Sequence, residues 1–199
     1  MGSSRWGGPR GVGCLAAAGL ALLVSACTPY EPAPTITQTP APDVVPEYVG
    51  SRMPFDCSDP IHTAATLGEL TEGPAALDVM ALTTDGGVLQ WGGSTYQGMT
   101  SVKVGIALRA GSSMTLSVPA EMRGTMKIGW SNKGPVVADE LVVQGCTSAV
   151  PGAAWLVYPG GFMLKQPGCV PLTVTTAVAT ETIHVPIGKP CPGSVLGTE

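Results

Sequence analysis

Two histidines are the side chains of this sequence best suited to act as a general base near neutral pH. His62 lies in an early loop or short helix, and His184 lies in a run that alternates with apolar residues. Ile183, Val185 and Ile187 occupy the opposite phase of that run, so we predict that His184 points away from the core. A catalytic site also needs a nucleophile and an orienting group within reach, and no GxSxG, HExxH or SxxK motif is present. The sequence therefore predicts a protein that is not an enzyme.

Methionine thioethers and one histidine are the soft ligands that Cu(I) would need outside the cytoplasm. The candidates are Met80, Met99, Met114, Met122, Met126 and His184. Met114 and Met126 are in phase with Leu116 and Ile128, which favours core packing over copper binding.

Acidic side chains offer the other route to a metal. Asp56 and Asp59 flank Cys57 and, with loop carbonyls, provide calcium-type ligands; solvated acids in a turn are the simpler interpretation. Asp139 and Glu140 are neighbours in a strand-like run and so face opposite sides. We predict no metal site, no cofactor and no catalytic residue.

Four cysteines after the first 50 residues predict two disulfides, because an even count is typical of exported domains. The runs 170–174 and 183–187 form a predicted hairpin with its midpoint near residue 180. Cys169 and Cys191 are equidistant from that midpoint, so we pair them. Elimination then pairs Cys57 with Cys146.

The amino-terminal segment has the composition of an export signal. Arg5 and Arg10 precede an uncharged run at 12–26, which is shorter than the roughly 20 apolar residues of a transmembrane helix. The run ends in Leu23-Val24-Ser25-Ala26-Cys27, which resembles the lipobox of bacterial lipoproteins. The resemblance implies cleavage before Cys27 and lipidation of its thiol, with diacylglycerol and N-acyl chains meeting the requirement for two membrane signals.

Residues 28–50 contain six prolines, and their composition predicts a disordered, extended tether. We therefore divide the chain into a signal peptide at 1–26, the lipidated Cys27 with a Pro-rich tether at 27–50, and a folded domain at 51–199. The predicted location is the extracytoplasmic face of the cell membrane.

The net charge of the chain after the leader limits which classes of partner it could bind. The ten basic residues include Arg5 and Arg10 of the leader, which leaves eight against fourteen acidic residues and a formal charge near −6. Because the basic residues are also scattered, the sequence argues against nucleic-acid binding and against electrostatic adhesion to an anionic membrane.

The dominant period in the domain is two, which predicts strands. Val102, Val104, Ile106 and Leu108 share one face of such a run. Eight to nine short runs of this kind, bounded by Gly and Pro turns, predict an all-β antiparallel sandwich of immunoglobulin-like or jelly-roll type. A short helix is also predicted after Ser58 or Asp59, with Leu67 and Leu70 facing the core.

Aromatic residues near turns are the candidates for a contact surface. Trp91, Tyr96, Tyr158 and Phe162 lie close to glycines or turn signals, and we predict an exposed patch at one end of the sandwich. Core packing is the alternative for each of them.

Three short segments of the carboxy-terminal part carry a further resemblance: 158–162 (YPGGF), 169–172 (CVPL) and 188–191 (GKPC). They are similar to segments of small lipoproteins of high-GC Gram-positive bacteria, a resemblance that implies no particular activity. The sequence therefore predicts a non-enzymatic binding or accessory module of the cell envelope, with an envelope protein or the cell wall as partner. A small copper-handling protein or a hydrolase is the alternative.

Overall fold

The computed structural model describes residues 47–130 and 136–193. The predicted signal peptide, Cys27 and most of the predicted tether lie outside these ranges. Among the described residues, no helix has the length and apolar character needed to cross a bilayer.

The described chain consists of sixteen short strands and two single-turn 3-10 helices. The strands are β1 (Glu47–Tyr48), β2 (Arg52–Pro54), β3 (His62–Ala64), β4 (Ala75–Ala76), β5 (Met80–Thr83), β6 (Thr95–Tyr96), β7 (Met99–Lys103), β8 (Gly105–Arg109), β9 (Ser113–Ser117), β10 (Met126–Gly129), β11 (Val136–Val137), β12 (Glu140–Gln144), β13 (Trp155–Tyr158), β14 (Gly161–Leu164), β15 (Gly168–Thr175) and β16 (Thr180–Ile187). The 3-10 helices are Leu67–Glu69 and Ala120–Met122.

These strands form three larger sheets and one small one. Sheet I has the order β16-β15-β9-β12-β2, sheet II the order β3-β13-β8-β5-β4, and sheet III the order β10-β14-β7-β6. Sheet IV pairs only β1 with β11, in parallel. Apart from that pair and the parallel β2–β12 pair, the named strands pair antiparallel. The predicted all-β antiparallel sandwich is confirmed.

Sheets I, II and III all contribute side chains to a single main core. The predicted alternation holds, because Val102, Val104, Ile106 and Leu108 are all buried in that core. The run is nevertheless two strands rather than one, since the chain passes from sheet III to sheet II at Val104. The antiparallel partner segment changes sheets as well, from β13 in sheet II to β14 in sheet III. Where the two segments change sheets, Val104 N donates a hydrogen bond to Gly160 O at 3.0 Å. Breaks of this kind explain why short strand segments outnumber the eight to nine predicted runs.

Trp130 fills this corner between sheets II and III. Its indole Nε1 donates to Val104 O at 3.1 Å, and its ring meets Phe162 edge-on at 4.8 Å. A Cβ on Gly160 would lie 2.1 Å from Trp130 Cδ1, so only glycine fits there. The corner therefore depends on an aromatic residue and a glycine brought together from distant parts of the chain.

The helix predicted after Ser58 or Asp59 is wrong in extent and position. Ile61 N donates to Val157 O at 2.9 Å, and the chain continues as β3 at the edge of sheet II. Only one 3-10 turn follows, at Leu67–Glu69. Leu67 and Leu70 pack on a second, smaller cluster that contains Trp155. Pairing with an open sheet edge satisfies more backbone groups than one helical turn can.

Both disulfides pair as predicted, Cys57 with Cys146 and Cys169 with Cys191. The predicted hairpin register is wrong, because Cys169 stands opposite Pro186 in the β15–β16 ladder. The chain reverses after β16 through Gly188, at φ +65, and this turn returns Cys191 to Cys169.

Candidate functional site on the outer face of sheet III

The outer face of sheet III, away from the main core, is partly covered by sheet IV. Phe162 and Leu164 of β14 face the core, so Met163 between them faces outward, yet it is only 6% exposed. Val137 of β11 is buried outside the main core as well. The pairing of β1 with β11 therefore gives sheet III a partial cover, and two concavities border it.

The larger concavity, which we name the corner groove, follows a row of three residues, two of which are glycines. Gly129, Gly161 and Lys103 are register neighbours across β10, β14 and β7. A Cβ on Gly161 would lie 1.8 Å from Val102 O, and one on Gly129 would lie 3.2 Å from Val137 Cγ1. The glycines thus allow close backbone approach and leave the sheet surface open.

The corner groove has a volume of about 760 Å³, within the range of about 300–1,000 Å³ found for small-molecule sites. Its lining is mostly apolar or backbone and includes Ile61, Val104, Val136, Val137, Pro159 and Met163. Ile61 is 64% exposed, which is unusual for such a side chain. Lys103 at the rim is exposed and makes no ion pair with any described residue. The groove thus combines apolar walls with one free positive charge.

A buried ion pair lies beside the cover. Asp139 is 5% exposed and is the buried charged residue of the described chain. Its carboxylate accepts hydrogen bonds from Lys127 Nζ at 2.5 Å and from Tyr48 Oη at 3.1 Å. Lys127 Nζ also donates to Arg123 O at 2.8 Å and lies 4.5 Å from the centre of the Tyr48 ring. The lysine charge is therefore neutralised locally.

Tyr48 is connected to the site through its hydroxyl. Loss of solvation around the phenol raises the pKa of Tyr48, and the hydrogen bond to Asp139 raises it further. The hydroxyl therefore stays protonated and continues to donate to Asp139. Glu140, next in β12, faces the other way and pairs with Arg52 at 3.1 Å and Arg123 at 3.0 Å. The prediction that Asp139 and Glu140 face opposite sides is confirmed.

The smaller concavity, which we name the tyrosine pocket, has a volume of about 240 Å³. Its lining residues are Tyr48, Tyr96, Gln97, Met99, Lys127, Val137 and Met163. Gln97 and Gly98 form the two-residue turn between β6 and β7, at φ +48 and +71. Both positive values are those of a type I′ hairpin turn. Gln97 Nε2 donates to Tyr96 Oη at 2.9 Å.

The predicted aromatic surface is correct only in part. Tyr96 is half-buried in the tyrosine pocket, and Trp91 is half-buried against the main core. Tyr158 and Phe162 are fully buried, so the expectation of an exposed patch is wrong for both. The alternation of β13 and β14 places their rings inside the sandwich, although both strands end near a Pro-Gly-Gly turn. Tyr158 Oη donates to Cys57 O at 3.1 Å, and burial of the phenol, followed by nearby Asp56, raises the pKa of Tyr158.

The sequence did not point to Tyr48 or Lys127, and Asp139 was considered only together with Glu140. Tyr48 fell within the predicted tether, whose last residues instead form β1. Lys127 carried a usable signal, since its position between Met126 and Ile128 places it on the outer face. Its pairing with Asp139 depends on which strands become neighbours, and the local pattern does not specify that.

The residues considered for catalysis and metal binding are dispersed. His62 is exposed in sheet II and His184 is exposed in sheet I, and neither bonds a carboxylate within the described ranges. Met80, Met114 and Met126 are buried in the main core, Met122 packs against it, and Met99 lines the tyrosine pocket. In the described part of the chain, no group of three or more His, Cys, Asp or Glu side chains is placed to hold a metal ion. Cys27 lies outside the described residues.

Comparisons of the chain with protein-family models, with curated proteins and with solved structures find no match.

Proposed function

We propose that this protein is a lipid-anchored, extracytoplasmic lipoprotein that serves as a non-enzymatic binding module in the cell envelope. The observation that carries the proposal is the corner groove, an open apolar surface on a rigid sheet. The lipobox-like segment ending at Cys27 supports the anchor. Two disulfides support an oxidising compartment, because such bonds are rare in reducing ones.

The lining of the corner groove favours binding over catalysis. Its walls are supplied by backbone, Val, Pro and Met, and its polar side chains are Thr83, Ser101 and Lys103. A hydroxyl nucleophile needs a base within hydrogen-bond reach. Neither His62 nor His184 lines the groove. A ligand in the corner groove would therefore be recognised by its shape and by one charged contact with Lys103.

The occupant that fits is an extended apolar segment of an envelope protein that carries an acidic side chain. Apolar side chains of that segment would cover Ile61 and the walls beside it, removing exposed apolar area from water. Its carboxylate would reach Lys103, which has no ion-pair partner among the described residues. A charge at a groove rim acts mainly on orientation and specificity, whereas the apolar contacts supply affinity.

Site-specific photocrosslinking in intact cells tests this proposal. A photoreactive residue replaces Ile61 in the membrane-bound, full-length protein, and a matched one replaces Val178, which is 93% exposed in the β15–β16 turn. We expect an adduct at position 61 and none at 178, and peptide mapping should place it on an acidic, apolar segment of an envelope protein. Lys103→Glu should weaken the adduct at least tenfold. Equal labelling at both positions, or an adduct with lipid alone, would overturn this assignment of the groove.

A further inference from the structure

We infer that the tyrosine pocket is a second binding site, separate from the corner groove, which takes one neutral sugar ring. Nothing in the proposed function of the groove requires this site. The size, the charge balance and the polar groups of the pocket each favour such a ligand.

Size limits the ligand to a single ring. The pocket volume of about 240 Å³ lies below the range of about 300–1,000 Å³ that accommodates drug-sized molecules. Met99 lines the pocket on sheet III, while Val137 and Met163 line both the pocket and the adjacent corner groove. A long chain does not fit, whereas one six-membered ring does.

Charge excludes ionic ligands. Lys127 is the cation in the lining, and its Nζ lies 2.5 Å from the Asp139 carboxylate, so an anion gains little net attraction. A quaternary ammonium ligand, which favours aromatic faces, would meet the Lys127 ammonium that already lies against the Tyr48 ring. The site therefore favours a neutral ligand over either ion.

Polar groups exclude a purely apolar ligand. An apolar ligand would remove the Tyr96 hydroxyl and the exposed Gln97 amide from water and leave them only the hydrogen bond that they make to each other, so the lost solvation would cost more than the contact returns. A sugar satisfies both requirements at once, because its hydroxyls donate and accept while its C–H faces are apolar. The Gln97 amide supplies one acceptor and two donors. The rings of Tyr48 and Tyr96 supply aromatic faces with a polar end.

The backbone at Gln97 supports a binding role. A positive φ is uncommon for a residue with a side chain, and glycine or asparagine is the usual first residue of a type I′ turn. Gln97 occupies that position at φ +48 and directs its amide to Tyr96 Oη. Strain of this kind is found at ligand sites, and of the four non-glycine residues with a positive φ in the described chain, only Gln97 lines the pocket. The turn thus keeps a long amide side chain where glycine would be the more stable choice.

Saturation-transfer NMR on the full-length protein, solubilised in detergent, tests the site because it detects weak ligands bound to a large particle. The probes are methyl glycosides of glucose, mannose, galactose and N-acetylglucosamine, with glucuronate and tetramethylammonium as charged comparators. We expect transfer to the C–H face of a neutral glycoside, at least a tenfold loss with Tyr96→Ala, and retention with Thr95→Ala on the exposed side of the same strand. Thermal unfolding of each variant excludes loss of fold as the cause.

Gln97→Gly is the decisive second variant, because glycine relieves the positive φ while removing the amide. We expect this variant to be at least as stable as the parent and to lose transfer to the glycoside. Retention on insoluble wall glycan, or on vesicles carrying a neutral glycolipid, then identifies the source of the ring. Transfer that is absent, unchanged by Tyr96→Ala, or stronger for either charged probe would overturn the site. These outcomes leave the groove proposal untouched, since its crosslinking test does not involve Tyr96.

Discussion

Lys127 Nζ lies 2.5 Å from the Asp139 carboxylate, and both side chains are withdrawn from solvent beneath the cover that β1 and β11 form. The pair links β10 to the residue that precedes β12, and Tyr48 of β1 donates to the same carboxylate. One carboxylate thus joins the first described strand to sheet III. The cover, and with it the tyrosine pocket, depends on this contact.

Asp139→Asn should lower the free energy of unfolding by about 3 kcal/mol, because it leaves the Lys127 charge uncompensated in a buried site. Urea denaturation followed by tryptophan fluorescence measures this change. Asp78→Asn is the matched control, since its ion pair with Arg109 is exposed and such pairs contribute about 0–1 kcal/mol. Adding Lys127→Met to Asp139→Asn should recover part of the loss. Equal effects of the two single substitutions would contradict the role given to the pair.

Gly160→Ala should destabilise the fold by about 3 kcal/mol, because overpacking a well-packed core costs typically 1–3 kcal/mol and the new Cβ would lie 2.1 Å from Trp130 Cδ1. The same denaturation measurement detects it, and the emission of buried Trp130 should shift as the corner opens. Gly124→Ala serves as the control, because a Cβ there meets nothing within 4 Å. A Gly160→Ala protein as stable as the parent would show that the corner tolerates a wider bend.

The features of the fold that depend on local sequence pattern could be predicted from the sequence. Alternation at Val102, Val104, Ile106 and Leu108 predicts which side chains enter the core, because a strand has a period of two whatever sheet it joins. An even number of cysteines after a predicted export signal predicts two disulfides. The pairing came out correctly although the hairpin register was wrong, since one reversal after β16 moves Cys191 back to Cys169.

The candidate site depends on relations between distant segments, which local pattern does not encode. The outward Met163 is buried and lines the tyrosine pocket together with Val137 of β11, and β11 pairs with β1, whose two residues were predicted to belong to the tether. The predicted exposure of Tyr158 and Phe162 was wrong for a related reason. Their proximity to a turn suggested exposure, whereas strand phase decides the direction of each side chain.

Tyr158→Phe should make stability less sensitive to alkaline pH. Burial raises the pKa of Tyr158 in the folded protein above its ordinary value of about 10. The contribution of the protonated phenol is therefore complete below about pH 10 and is lost as the pH rises through the folded-state value. At neutral pH the variant should lose about 1 kcal/mol with the hydrogen bond to Cys57 O. Denaturation at neutral pH and above pH 10 compares the two slopes; parallel losses in both proteins would exclude this role for the phenol.

Gln97→Gly should raise the free energy of unfolding by about 1 kcal/mol, since a side chain in the left-handed region costs about 1–2 kcal/mol and glycine avoids that cost. The gain is partly offset by the flexibility that glycine adds to the unfolded chain. Gly98→Ala provides the opposite control in the same turn, because φ +71 strains any residue with a Cβ. A loss of stability with Gln97→Gly would mean that the Gln97–Tyr96 hydrogen bond contributes more than the backbone strain costs.

Cys27→Ser should move the protein from the membrane fraction to the soluble extracytoplasmic fraction, because serine offers no thiol for the diacylglycerol chain. Acyl chains contribute about 0.8 kcal/mol per buried methylene, so removing them abolishes stable anchoring. Cys14→Ser is the matched control, since Cys14 lies within the predicted leader and should leave fractionation unchanged. Cell fractionation with immunoblotting, combined with metabolic labelling by a palmitate analogue, reads out both steps. A Cys27→Ser protein that stays in the membrane fraction without label would reject acylation as the anchor, while the groove and the tyrosine pocket would keep their own tests.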